Sequence, residues 1–376
     1  MAAPVRILHC HSTFTLGGKE ARAVRLMNAF GDRARHAVLS AVPGAFSARE
    51  AIDPEVAAAF PEDAPPLAGR PGLGRLYRLA RYMRGFDLVL TYNWGAFDAV
   101  MARYLFRGAP LVHHEDGFNA DEAGELKPLR NLYRRLGLSA AHRLVVPSRR
   151  LEEIARRVWG QPSGRIARIA NGIDVARFAH PPDPDAIPGF ARRAGEVVIG
   201  TVAGLRRVKD LPALVRAVAP IADARLVIVG DGPEREAIRA EARRRGMTER
   251  VHLPGFLPRP ERYIGLFDIF ALSSRSEQFP ISLIEAMAAG LPVAAPAVGD
   301  VAAMVSAPNR ALIVPAGDEQ ALGAVLARLA GDPALRVQAG RANAEKARER
   351  FGEERMIAAY ARLYGEAIGA PRAFRA

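Results

Sequence analysis

Cysteine is almost absent from these 376 residues: Cys10 stands alone, so neither a disulfide framework nor a cysteine-based zinc site can be built. It lies in the apolar run Val5-Arg6-Ile7-Leu8-His9-Cys10 and reads as a small buried hydrophobe rather than a nucleophile. Such a chain suits a reducing compartment, and a cytoplasmic location is the expectation. Long hydrophobic runs are missing too. The nearest, residues 281–299, is broken by Glu285, Gly290, Pro292 and Pro296 into a helix, a turn and a strand. The opening MAAPVRILHC has no basic region followed by a long apolar stretch, so no signal peptide is expected. A complete G-x-G-x-x-G after the first strand is lacking, with no ribose-binding acid about 20 residues on, which weakens a dinucleotide reading. The one Asp-x-Asp, Asp183-Pro184-Asp185, sits in a proline-rich stretch, and no metal is expected there.

What is present is ordinary globular material, 49% hydrophobic and 25% charged, long enough for two α/β domains. The formal charge of +13 is uneven. Residues 1–180 hold 26 Lys and Arg against 17 Asp and Glu, a surplus of 9. By itself the surplus does not choose among nucleic acid, anionic lipid and phosphorylated ligands.

Short β-branched runs alternate with helix-length segments, the pattern of parallel sheets with crossover helices. Strands are predicted over 5–10, 36–41, 87–91, 110–114 and 143–147, with helices over 19–30, 74–84, 96–106, 129–138 and 149–158. The run His180-Pro181-Pro182-Asp183-Pro184-Asp185, followed by Pro188-Gly189, reads as an interdomain linker. Beyond it, strands are predicted over 196–203, 225–229, 250–253, 269–272, 292–295 and 310–314. Helices are predicted over 211–220, 233–245, 319–330, 333–350 and 353–368. The expected organisation is a first Rossmann-like domain over 1–180, a second over 190–352, and a final helix over 353–376 packing back toward the first. Ligands of such sheets bind at the carboxyl ends of the strands, and the cleft between the domains is the default site.

Four segments carry candidate chemistry. Gly17 and Gly18 lie between a strand and a helix, where glycines let backbone N–H groups approach an anion. Arg206, Arg207 and Lys209 follow the first strand of the second half; arginine offers a planar fork for phosphate oxygens and lysine a mobile charge. In Ser274-Arg275-Ser276-Glu277-Gln278-Phe279-Pro280-Ile281-Ser282-Leu283-Ile284-Glu285, Pro280 suits the first position of a helix. A diphosphate at that helix start would meet backbone N–H groups and the positive end of the dipole. Glu277 and Glu285 could then accept from sugar and ribose hydroxyls, and an unpartnered Glu285 in so apolar a stretch would be costly. Finally His113, His114, Glu115 and Asp116 end a strand of the first half, where acid–base or hydroxyl-orienting work is possible.

Taken in order, these segments resemble the family 4 retaining glycosyltransferases of GT-B fold over nearly the whole chain. The resemblance rests on Gly17-Gly18-Lys19-Glu20, Val146-Pro147-Ser148, Asn171-Gly172-Ile173-Asp174 with Arg177-Phe178, and Val208-Lys209-Asp210. It continues through Val229-Gly230-Asp231-Gly232-Pro233, the segment from Glu277 to Glu285, and Gly290-Leu291-Pro292-Val293. It implies a nucleotide-sugar donor held by Glu285 at the ribose, by Glu277 and the backbone of Phe279, Pro280, Ile281 and Ser282 at the sugar, and by Lys209 and Arg206 at the diphosphate. Gly17 and Gly18 would approach that diphosphate from the other domain. Glu277, Asp116 and His114 are the implied catalytic residues. Transfer would retain configuration and use no metal or other cofactor. The implied acceptor is a glycan or lipid-linked sugar of cell-surface polysaccharide or lipopolysaccharide synthesis, and nucleic acid is not an expected partner. The chain departs from the family at Gly204, where an arginine is usual and Arg206 or Arg207 could substitute. It departs also at Asp116, where a histidine is frequent, and at Gln278, which replaces a glycine.

A non-catalytic nucleotide-binding or scaffold protein of the same fold is the alternative, with a Rossmann-type oxidoreductase behind it. In Gly74-Arg75-Leu76-Tyr77-Arg78-Leu79-Ala80-Arg81-Tyr82-Met83-Arg84, arginines recur at every third residue. On a helix this makes a basic stripe, which points to an anionic membrane surface as a further partner.

Overall fold

The structure is a computed structural model that describes residues 3–69, 72–118, 122 and 126–374. It divides into two compact units: residues 1–171 with 354–376, and residues 172–353. The first is built on strands β1 (Val5–His11), β2 (Ala34–Ser40), β3 (Ala58–Ala59), β4 (Leu88–Tyr92), β5 (Leu111–His114), β6 (Arg143–Val146) and β7 (Ile166–Arg168). All pairings are parallel, in the order β3-β2-β1-β4-β5-β6-β7. Helices α1 (Gly18–Phe30), α2 (Leu73–Met83), α3 (Phe97–Phe106), α4 (Pro128–Gly137) and α5 (Arg149–Arg157) connect them. The second unit has β8 (Val197–Val202), β9 (Ala224–Val229), β10 (Val251–Gly255), β11 (Ile269–Ala271), β12 (Val293–Pro296) and β13 (Ile313–Val314), parallel in the order β10-β9-β8-β11-β12-β13. Its helices are α6 (Leu211–Val218), α7 (Arg235–Arg244), α8 (Ile281–Ala288), α9 (Val301–Met304), α10 (Glu319–Gly331) and α11 (Pro333–Arg350). The last helix, α12 (Glu353–Ala367), belongs to the first unit from Glu354 onward.

Both sheets are covered on both faces, which is why their strands read as runs of Val, Ile and Leu rather than alternating. In the first unit, Leu8, Val89, Leu111 and Leu144 face a core shared with Leu76 and Leu79 of α2, Phe97 and Val100 of α3, and Trp159. On the opposite face Ile7, Leu88, Leu90 and Val112 meet Phe30 of α1 and Met356, Tyr360 and Tyr364 of α12. Local signals set several helix starts: the side chains of Ser148, Asp318 and Asp332 accept the backbone N–H three residues on, and Pro333 opens α11.

The proline-rich segment is not a free linker. Phe178 and Ile187 are buried in the core of the second unit, and the Asp183 N–H donates to the Arg262 carbonyl at 2.8 Å while its carboxylate pairs with the Arg262 guanidinium. The change of unit comes earlier, between Asn171 and Gly172. Apolar side chains between the prolines give the segment something to bury, and this outweighs the turn-forming composition.

Each sheet has one point where the strand order reverses: between β1 and β4 in the first unit, and between β8 and β11 in the second. Successive connections leave such a point in opposite directions, so a crevice opens at the carboxyl ends of the two strands.

Candidate functional site

In the second unit the loops leaving β8, β11 and β12 meet at that reversal. Ser273 Oγ donates to the Lys209 carbonyl at 2.9 Å, the Arg275 N–H to the Val208 carbonyl at 2.9 Å, and the Arg275 guanidinium to Asp210 at 2.7 Å. The loop after β9 joins in, since the Leu205 N–H donates to the Asp231 carbonyl at 2.9 Å. This stitching brings Lys209 Nζ onto Glu277 Oε1, which also accepts from Ser274 Oγ at 2.7 Å. The lysine and glutamate side chains are 15% and 9% exposed. At that burial a charge pair is screened less than on an open surface.

Helix α8 starts immediately beyond. Pro280 stands one residue before the first helical position, at the N-cap rather than within the helix as its sequence suggested. It has no side chain able to cap, and no acidic side chain lies in the first turn, so the first amides of α8 point out with their dipole uncompensated locally. Phe279, Ile281 and Ser282 are half-buried around this start, and Glu285 lies half-buried one turn on, between buried Ile284 and Ala286. Glu285 is near enough to Tyr263 to help burial push that phenol above its usual range. Arg206 and Arg207 are both exposed beside Gly204.

Gly299 was missed from the sequence. Its φ is +56°, and a Cβ there would lie 2.2 Å from the Glu277 carbonyl oxygen. The Asp300 N–H donates to the Gln278 carbonyl at 3.1 Å. The turn after β12 is therefore pressed beneath the peptide that carries Glu277. A glycine following a buried strand was the available signal.

In the first unit, Gly17 is the N-cap of α1 and Gly18 its first residue, with no side-chain cap. Lys19 Nζ is on Glu20, whose carboxyl burial pushes up against the pull of that lysine. The opposite strand of the reversal ends at Tyr92, and Gly95 beyond it lies so close to Ser12 that a Cβ would come 2.2 Å from the Ser12 Cβ.

The four polar residues ending β5 have separate fates. His113 Nδ1 is 2.8 Å from Thr91 Oγ1, and Glu115 accepts from buried Arg134 at 3.2 Å. His114 is held at both ring nitrogens, Nδ1 by the Thr91 carbonyl at 3.1 Å and Nε2 by the Tyr364 hydroxyl at 2.8 Å. Burial, helped by Arg22, pushes it down to about 3. His114 thus joins the sheet to α12, with both ring nitrogens engaged inside the first unit. Asp116 differs, with a side chain 14% exposed and a fork of hydrogen bonds from Arg22. Burial favours its neutral form, but the guanidinium outweighs it and holds the carboxyl below its ordinary value. Asn93 Oδ1 accepts the Asp116 N–H at 2.7 Å, and Arg22 also donates to Asn171 Oδ1 at 3.1 Å. Arg22 and Asn93 were not singled out as site residues. The only signal for Arg22 was an arginine in the first turns after the glycine pair.

His11 completes this end of the sheet. Its ring stacks on Tyr92 with centroids 4.0 Å apart, is fully buried, and has no hydrogen-bond partner among the described residues.

Comparisons with known proteins identify the family and the fold. Residues 16–177 match the family model described as Glycosyltransferase Family 4, and residues 196–332 the one described as Glycosyl transferases group 1. The chain is 26% identical over 372 residues to the lipopolysaccharide core biosynthesis glycosyltransferase LpsD of Rhizobium meliloti, covering 97% of this chain and 99% of that one. It is 30% identical over 267 residues to the putative glycosyltransferase EpsF of Bacillus subtilis, covering 62% and 67%. Among solved structures, a sucrose-phosphate synthase from Thermosynechococcus elongatus superposes with a TM-score of 0.79 at 22% identity, over 97% of this chain and 100% of that one. Anabaena HepE in complex with UDP follows with a TM-score of 0.77 at 20% identity, over 95% and 98%. Two parallel α/β units, the loops joined at the second reversal point and these matches make the chain a glycosyltransferase of family 4, with the GT-B fold.

Proposed function

We propose that this glycosyltransferase moves a sugar from a nucleotide-diphosphate donor to a glycan or lipid-linked acceptor of the cell surface, retaining anomeric configuration and using no metal. The observation that carries the reading is the Lys209–Glu277–Ser274 cluster set against the uncapped start of α8. A diphosphate there would receive backbone N–H bonds and the lysine charge, and Glu277 is freed from Lys209 to accept from the sugar. Glu285 is assigned to the ribose, the backbone from Phe279 through Pro280 and Ile281 to Ser282 to the sugar, and Arg206 to the outer phosphate. Gly17 and Gly18 are assigned to phosphate approach at the turn after β1, and Asp116 to the acceptor. Support for the donor class comes from HepE, solved with UDP and with UDP-glucose. Support for the acceptor class comes from the Rhizobium relative, named for lipopolysaccharide core biosynthesis.

The test is incubation with UDP-, GDP- and ADP-sugars in EDTA, following free nucleoside diphosphate and, with an acceptor, the anomeric configuration of the product by NMR. Release in EDTA with retention is expected. Release only on adding a divalent cation overturns metal independence. Tight nucleotide binding with no release from any donor supports the non-catalytic alternative.

A further inference from the structure

Helix α4 is inside out. Leu129, Leu132, Tyr133 and Leu136 fall at i, i+3, i+4 and i+7, the spacing that normally seats a helix on a core. Yet they are 67%, 50%, 38% and 42% exposed, while Arg134 on the opposite side is buried, paired with Glu115 and Glu122 and stacked over Trp94 and Trp159. The neighbouring helices continue this surface. Gly137 of α4 lies against Phe97 and Met101 of α3, and Tyr77 of α2 meets Phe106 of α3 edge to face, with ring centroids 5.4 Å apart. On these two helices Leu73, Tyr77, Tyr104 and Leu105 are exposed as well.

The same three helices and their ends, residues 73–84, 97–107 and 127–137, hold ten Lys and Arg and a single acid, Asp98. That acid is held by Arg75, which also donates to the carbonyls of Pro66 and Leu67. Arg75 therefore leaves the basic stripe read from the sequence. Arg78, Arg81, Arg84, Arg107, Lys127 and Arg135 remain exposed around the apolar residues.

We infer that this face of the first unit docks on an anionic lipid surface, with α4 as the element that enters the headgroup layer. The inference takes from the proposed function only the membrane-linked acceptor. Leucines and tyrosines amid arginines are what an interfacial helix presents, the rings and aliphatic stems lying at the boundary while the cationic heads reach phosphate. A second copy of the chain fits less well, because a two-fold contact through this face would set one basic rim against another. No helix among the described residues is long and apolar enough to cross a membrane, so surface docking is the mode these helices can offer.

The experiment is flotation of the full chain with phosphatidylcholine vesicles, with and without about a third phosphatidylglycerol, at low and high salt. Binding to the anionic vesicles at low salt is expected, weakening with salt. The triple variant Leu129→Ser, Leu132→Ser, Leu136→Ser should lose at least about tenfold in partition, and Arg78→Glu with Arg81→Glu at least about twentyfold. All these side chains are exposed, so the variants should fold, and circular dichroism with nucleoside-diphosphate binding serves as the check. Normal nucleotide binding with no affinity for anionic vesicles overturns this inference while leaving the proposed function standing. Loss of nucleotide binding with vesicle binding intact does the reverse. A wild type that ignores vesicles but is a dimer, and becomes monomeric in the serine variant, assigns the face to self-association and overturns the inference too.

Discussion

Mild acid should loosen the first unit well before its carboxylates titrate. Burial holds four histidines of that unit neutral: His9, His11, His36 and His114. Desolvation depresses all four, His9 and His11 well below the usual value, His36 to about 4 and His114 to about 3. His9 Nε2 and His36 Nδ1 share one hydrogen bond of 3.0 Å, which a second proton would break. The unfolded chain takes up these protons near pH 6.5 and the folded one refuses them. Their contribution is therefore fully present above about pH 6.5 and falls away as the pH drops toward the folded values. At about 1.4 kcal/mol per pH unit for each group, His36 and His114 alone remove about 4 kcal/mol by pH 5, with His9 and His11 acting in the same direction. That is a large part of the ~5–15 kcal/mol by which a domain is stable. Both tryptophans of the chain, Trp94 and Trp159, are in the first unit. Their fluorescence during urea unfolding reports that unit selectively. With a slope of about 2 kcal/mol per molar urea, the midpoint should fall by about 2 M between neutral pH and pH 5. His36→Gln, which cannot titrate, should remove about 1 M of that shift. A midpoint that moves by less than about 0.5 M would refute the reasoning.

Two further outcomes follow from the second unit. Lys209→Ala and Glu285→Ala should each abolish or severely reduce transfer in a folded protein, with about 1.5–3 kcal/mol lost from nucleotide-diphosphate binding by Lys209→Ala, measurable by calorimetry; wild-type turnover in either variant would remove that residue from the site. Gly299→Ala forces a Cβ against the Glu277 carbonyl and an L side chain into positive φ, so it should lower the melting temperature by a few degrees and weaken donor binding together, and an unchanged protein would show that the turn beneath Glu277 yields freely.

Most elements were legible in the sequence because parallel sheets covered on both faces leave dense runs such as Val197–Val202 and Ala224–Val229. Two of the short strands were not. Ala58–Ala59 has two small residues, and Ile166–Arg168 has half-buried isoleucine and alanine beside an exposed arginine, so neither carries a hydrophobic signal. They exist because β2 and β6 offer an edge. That Lys209 and Glu277 come together was readable because each follows a strand, and strand ends are where this kind of sheet gathers its polar loops. Burial at the end of β5 was not readable. Sequence shows four adjacent polar residues, but only the fold tells that His114 points to Tyr364 of α12, 250 positions away, and that Asp116 is claimed by Arg22. The outward stripe of α4 misleads in the opposite direction, since its periodicity promises burial that the structure does not provide.

The first unit is discontinuous in the chain, and this has a consequence for how the protein is made. Phe30, Leu90 and Tyr92 precede the second unit in the chain, but the side chains that cover their face of the sheet, Tyr360, Tyr364 and Phe374, follow it. Between them lie the 182 residues of the second unit, which is continuous from 172 to 353. At the usual pace of translation those residues occupy roughly 10–40 s. During that interval one face of the first sheet has no lid, and at its close the second unit has every residue it needs while the first still lacks its own. The first unit, interrupted in the chain, thus completes its core only after the residues of the second have been made.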